Sequence, residues 1–173
     1  METLKCIHER REIREFKPEP IPEDITQKVL LAAVQAPSAG NVQDWEFVMV
    51  KSGKNKEALA SAATDQDFVA RAPVVIAVCS NLKKIGRAYG QRGLSLYSVQ
   101  DTAAAAQNIL LAAWSLGIGG CWVGAFDERK VSELLFLPEH VRPLALIPLG
   151  FPTRIPAKPK RNPFQICLHT ERY

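Results

Sequence analysis

The chain has 173 residues, 47% of them hydrophobic and 23% charged, which is the balance of one soluble globular domain large enough to bury a full core. No apolar run reaches the roughly 18 residues of a membrane span, and the opening METLKCIHERR is charged where an export signal turns apolar, so a cytoplasmic protein with no membrane partner is expected. A formal net charge of +4 is too small to indicate a nucleic-acid binder.

Leu4 and Ile7 stand at helical spacing after Thr3, which predicts a short helix over residues 2–10. The stretch RREIREF at 10–16 alternates charge with Ile13 and Phe16 and runs into Pro18, Pro20 and Pro22, so extended or turning chain is expected. Arg10, Arg11 and Arg14 suit a phosphate, because each guanidinium is a planar fork that grips two oxygens. The interleaved glutamates fit a solvated charged edge equally well. A helix from Asp24 to Ala36 follows, opened by Pro22 and by acids in its first turn, where the dipole favours them.

The segment APSAGNVQDWEFVMV at 36–50 divides in two. Its first half is small and polar, broken by Pro37 and freed by Gly40; its second, Trp45 to Val50, is an aromatic and β-branched strand. In such a loop a flat ligand can lie against bare peptide groups, with Ser38, Asn41 and Gln43 supplying hydroxyl and amide groups to its polar edge. An ordinary helix-to-strand connection has the same composition.

A third helix is predicted over Gly53–Ala63, then a turn at Thr64–Phe68. The continuous apolar run Ala72–Cys79 is a strand buried on both faces, at the centre of the sheet. Periodicity is lost from Asn81 to Gly93, a basic glycine-containing connection that reads as a lid with Tyr89 and Tyr97 as stacking groups, or as a plain surface loop. From Leu94 to Leu116 the apolar repeat predicts a helix of about 34 Å. It is apolar nearly all round, with Gln100, Asp101, Gln107 and Asn108 in one narrow stripe, which suits packing against a second copy or a central position in a monomer.

Glycines at 117, 119 and 120 stop that helix, and Cys121–Phe126 reads as a short strand whose small end would let a ring reach the main chain. Asp127 caps a helix to Leu135. Val141–Leu149 is another strand, which Pro143 and Pro148 assign to an edge or a bulge. The proline-rich tail after Phe151 carries a second basic cluster and ends in a strand-like run, Phe164–Leu168. It suits wrapping over a partner and adding that strand to a sheet there. The two basic clusters, at opposite ends of the chain, suit convergence on one anionic ligand.

Cys6, Cys79, Cys121 and Cys167 form no C-x-x-C pair, and His8, His140 and His169 are scattered, so neither a metal centre nor a histidine triad is expected. Cys79 and Cys121 read as buried core residues. Helices and strands mix without a regular βαβα order, which argues for an α+β class.

Four segments in order, RREIREF (10–16), APSAGNVQDW (36–45), LGIGGCWVGAF (116–126) and the tail AKPKRNPFQICLHTERY (157–173), resemble the nitroreductase-like flavoprotein family. The resemblance implies a single domain of three layers, a central, mostly antiparallel sheet flanked by helices, in an intertwined homodimer with C-terminal strand exchange and FMN at the subunit interface. It implies NADH or NADPH as electron donor, small flat acceptors such as nitroaromatics, quinones or flavins, and a two-step ping-pong cycle with no catalytic side chain, hydride passing through flavin N5. The alternative is a flavin-binding or redox-sensing module without efficient turnover.

Position by position, the resemblance assigns Arg10, Arg11 and Arg14 to the phosphate and ribityl chain, and Pro37, Ser38, Ala39, Asn41 and Gln43 to the loop the other subunit lends to the ring. Gln66 corresponds to an amide near the pyrimidine edge. Val123, Gly124 and Ala125 match the strand end facing N5, and Lys160 and Arg161 match the tail's cations. Two residues depart from the pattern: Glu12 stands where many members have serine, and Gly124 where the best-known nitroaromatic-reducing branch has glutamate.

Overall fold

A computed structural model describes residues 2–173. Its centre is β2 (Val74–Asn81), whose continuous apolar run leaves every residue from Val74 to Ser80 buried. The period-two alternation of a strand sends Val75, Ala77 and Cys79 to one face and Val74, Ile76 and Val78 to the other. The first face packs on α3 (Gly53–Ala62), α4 (Asp67–Arg71) and α7 (Glu128–Leu134) through Leu59, Val69 and Val131. The second packs on α2 (Glu23–Ala33) and α6 (Ser98–Ser115) through Val29, Ala33, Ile109 and Leu110. The expected three-layer α+β sandwich follows from these two sets of contacts.

The sheet order is β1-β2-β4-β3, with β1 at Trp45–Val50, β3 at Gly119–Gly120 and β4 at Val141–Gly150, and every ladder is antiparallel. One parallel bridge, Glu12 with Gly120, lays the N-terminal basic segment along β3. Beside β3, Ile13 fills the space a side chain on Gly119 would need, so glycine is required by close approach there. β4 is interior, and of the two settings expected for its prolines, an edge or a bulge, the bulge is the one found. It tolerates its prolines because the register shifts between Val78 and Cys79, opposite Pro143, and because the Pro148 carbonyl, and with it the donorless nitrogen, faces the short β3 side.

Other boundaries differ from expectation. Residues 82–92 form a helix, α5, bent at Gly90 (φ 54°), and a π turn over Gly93–Tyr97 leads into α6. The expected strand at Cys121–Phe126 reduces to β3 and one bridge, Val123 with Leu146. The run Phe164–Leu168 contains a single 3-10 turn, Phe164–Cys167, and pairs with no strand among the described residues. The helix from residue 2, α1, spans Thr3–Glu9. No helix among the described residues is long and apolar enough to cross a membrane.

α6 buries Asp101, Thr102, Ala105, Ala106, Ile109, Leu110 and Ala113, but turns Val99, Gln100 and Gln107 outward. Ala103, Ala104, Leu111 and Trp114 are only half-buried along the same stripe. Leu4 and Ile7 of α1 are at least half exposed beside it.

Candidate functional site

The two basic clusters meet. Arg10 and Arg11, just past α1, and Lys158 and Arg161, from the tail, line one cavity of about 670 Å³, floored by Ile7, His8 and Gln107. Lys160 is not among its walls, and Arg14 faces elsewhere, its guanidinium 5.7 Å from the centre of the Phe68 ring and its side chain lining a smaller pocket with Arg154. Arg11 is held by three carbonyls at the end of α1, those of His8, Glu9 and Arg10, at 2.7–3.0 Å, which satisfies carbonyls the helix leaves over. Its buried Nε has no hydrogen-bond partner among the described residues. With Arg10, Lys158 and Arg161 beside Arg11, the cavity is lined by four cations and suits an anionic group.

The loop after α2 is held in an unusual backbone. Gly40, Asn41 and Gln43 all have left-handed φ, between 53° and 56°. For Gln43 that costs energy, repaid by the Gln43 amide donating to Ser38 Oγ at 3.0 Å and its Nε2 donating to Asn41 Oδ1 at 3.1 Å. Ser38, Asn41 and Gln43 thus spend part of their polar capacity on each other, where the sequence suggested that all of it faced a ligand. Pro37, Ser38, Ala39 and Gly40 line a cavity of about 460 Å³ with Tyr89, Tyr97, Gln100, Asp101 and Ala104. The two tyrosine rings meet edge to face at 5.1 Å, and Arg92 donates to the Tyr97 hydroxyl at 2.9 Å. The tyrosines named from the sequence therefore do border the loop, carried on a helix and a π turn.

Beneath the loop lies a pair of acids that sequence reading missed. Asp101, only 5% exposed, accepts the Ala39 amide on both oxygens at 3.1 Å. Asp44, fully buried, accepts the Ser80 hydroxyl and leaves Oδ1 without a donor among the described residues. Burial, and then the neighbouring Asp44, push the Asp101 carboxyl up to about 6, well above the usual carboxylate range. The one sequence signal was an acid on an otherwise apolar helix; its partner is 57 positions away.

The third region lies at the other edge of the sheet. Val123 is buried by its bridge to Leu146, while Gly124 and Ala125 are exposed and their amides donate to nothing among the described residues. Gln66 reaches this segment, its Nε2 donating to the Ala125 carbonyl at 3.4 Å and to that of Ala63 at 2.8 Å. Glu12 turns away from the basic cavity to accept Arg10 Nη1 at 2.8 Å and the Trp122 amide at 3.0 Å. Burial pushes the Cys79 and Cys121 thiols up to about 12, which makes them inert core residues.

The loop precedes the β1 edge and the strand end adjoins β3, so three strand spacings, about 14 Å, separate them within the sheet. One chain does not bring these two halves together. The loop cavity and the basic cavity do share the outward stripe of α6, at Gln100 and Gln107, about 10 Å apart along the helix.

The sequence matches the profile described as the nitroreductase family over residues 7–66 and 55–151. It is 38% identical over 162 residues, 90% of this chain and 80% of the relative, to a Methanothermobacter thermautotrophicus protein provisionally named an NADH dehydrogenase/NAD(P)H nitroreductase. It is 32% identical to the oxygen-insensitive NADPH nitroreductase of Salmonella typhimurium, covering 99% of this chain and 74% of that one. The fold superposes on the NADPH:FMN oxidoreductase of Vibrio harveyi, solved with NAD+, with a TM-score of 0.91 at 30% identity, over 99% of this chain and 77% of that one. By the motifs, the three-layer sheet and these likenesses, the chain belongs to the nitroreductase family.

Proposed function

We propose that the protein is an FMN-dependent oxidoreductase that uses NADH or NADPH to reduce small flat acceptors, working as a homodimer with two shared sites. The observation that carries the reading is the cavity where four cations from the first and last parts of the chain, Arg10, Arg11, Lys158 and Arg161, converge. Its residues fit a phosphate-tailed cofactor: Arg10, Arg11, Lys158 and Arg161 oppose the phosphate charge, with Arg11 prepositioned by helix carbonyls. Lys160 and Arg14 are left as more distant cations. The unpaired amides of Gly124 and Ala125, with Gln66 beside them, offer donors and an acceptor to a ring edge, and Pro37, Ser38, Ala39, Asn41 and Gln43 offer a second, rigid wall.

When bound, FMN supplies the hydride chemistry, taking electrons from the nicotinamide and passing them to the acceptor. The chain's own part is to bind, orient and exclude water, which is why no acid, base or nucleophile dominates the site. A second copy supports the reading in two ways. It would cover the outward stripe of α6, Leu4, Ile7 and the tail's exposed Phe164, Ile166 and Leu168, and it would bring a loop wall to a strand end.

The test is a visible absorption spectrum of the purified protein, with steady-state NADH and NADPH oxidation using menadione. A yellow protein that turns over menadione faster than free FMN, at twice 19.1 kDa by light scattering, supports the proposal. A colourless protein that stays so after FMN addition refutes it, and bound FMN without turnover reduces it to a flavin-binding module.

A further inference from the structure

Glu12 stands between two parts of the site, the basic cavity and the strand end after β3. Its backbone bridges Gly120, and the following amide, that of Ile13, donates to the Gly120 carbonyl at 2.9 Å. Its side chain then divides its two oxygens. Oε1 accepts Arg10 Nη1 at 2.8 Å, and Oε2 accepts the Trp122 amide at 3.0 Å. Arg10 lines the basic cavity, whereas Glu12 itself does not; it lines a second pocket with Arg14, Glu15 and Arg154. Trp122 opens the segment that runs through the exposed amides of Gly124 and Ala125.

We infer that Glu12 is a positioning residue that ties the anion-binding end of the site to its strand end, holding Arg10 and the Trp122–Ala125 segment in one fixed relation at the cost of part of Arg10's charge. This inference rests on the flavin reading above. A carboxylate within hydrogen-bond distance of Arg10 competes with any phosphate for the same donors, so it lowers the affinity for the anionic tail. In exchange, the guanidinium is held in one rotamer and the strand-end backbone is pinned beside it, which is preorganisation at both ends of a long ligand. Three cations, Arg11, Lys158 and Arg161, keep the cavity positive with Arg10 half neutralised.

Two substitutions separate these roles. Glu12→Gln keeps the length and one acceptor oxygen but removes the charge; Glu12→Ser is too short to reach either partner. FMN and riboflavin share the ring and differ by the phosphate, so the ratio of their dissociation constants reports the phosphate end alone. In both variants FMN should gain on riboflavin by about fivefold, the worth of one partly exposed ion pair returned to the phosphate. Glu12→Ser should also shift the midpoint potential of bound flavin, because the strand-end amides lose their tether, while Glu12→Gln should shift it less. A merely structural carboxylate would weaken FMN and riboflavin together and leave their ratio unchanged. An unchanged or reduced ratio in Glu12→Gln, which preserves shape, overturns the inference even where Glu12→Ser fails to fold. If the wild-type protein binds neither flavin, the functional reading itself has failed; if it binds both and the variants keep the wild-type ratio, only the role of Glu12 has.

Discussion

The acid pair under the Pro37 loop makes a pH dependence that can be worked out in advance. Asp101 sits among the Ala39 amide, Asp44, Gln100 and the two tyrosines, with no cation against it, and its carboxyl is pushed from 3.8 to about 6 chiefly by burial. The folded protein therefore keeps this proton to higher pH than the unfolded chain does, and proton uptake favours folding. That contribution is whole below 3.8, falls through the window up to about 6, and is gone above it. A shift of about two pKa units corresponds to about 3 kcal/mol. Asp101→Asn removes the titration while keeping one oxygen to accept the Ala39 amide. Urea unfolding of wild type and variant at pH 4, 5, 6 and 7, at fixed protein concentration, should show the stability difference swinging toward the variant by about 2.4 kcal/mol from pH 4 to pH 7. Titrating groups away from this pair are common to both proteins and cancel in the difference. A difference that stays flat across this range would refute the raised Asp101 carboxyl and the reasoning from burial.

The remaining expectations concern packing and binding. Gly119→Ala drives a methyl group to within 2.5–2.9 Å of the Ile13 side chain, which is itself fully buried, and should cost about 1–3 kcal/mol in chemical denaturation. Lys158→Ala and Arg161→Ala should each weaken FMN binding about fivefold relative to riboflavin, while Lys160→Ala, outside the cavity, should leave both unchanged by fluorescence titration. A side chain at Gly124 meets only the Trp122 ring, at 3.8–3.9 Å, so Gly124→Glu should keep its stability within about 0.5 kcal/mol, and kcat/KM for menadione should change without loss of bound flavin.

The parts of the fold visible in the sequence are those where burial imposes a pattern. The unbroken run around Val74–Cys79 announced a strand with two covered faces, and the structure covers both. Helix α5 was missed although Leu82, Ile85 and Tyr89 stand at helical spacing, because Gly86 and Gly90 interrupt the run and read as a loop; only Ile85 of its residues is buried. Pro143 marked a bulge as read, since the register shifts opposite it, whereas Pro148 sits within an interior strand because its donorless nitrogen faces a short neighbour and loses little. At the site, arginines at both ends of the chain pointed to convergence, and Arg10, Arg11 and Arg161 do converge. The choice among tail cations needed the structure, which turns Lys158 rather than Lys160 into the cavity. Asp44 and Asp101 were beyond reach, because a carboxylate pair is defined by tertiary contact and leaves no spacing in the sequence.

The tail joins the fold to the function. Phe164, Ile166 and Leu168 alternate as a strand does, yet each is at least 60% exposed and the segment makes only one 3-10 turn. A period-two apolar pattern has no use in a segment with no sheet beside it, and the proline-rich approach to it cannot supply one. The same tail delivers Lys158 and Arg161 to the basic cavity on its way. Anchoring the apolar end against a second subunit would therefore fix the cations as well, so that assembly and anion binding draw on one segment. The proposed dimer would also account for a loop wall and a strand end lying about 14 Å apart in one chain: each would be half of a slot whose other half belongs to the neighbour.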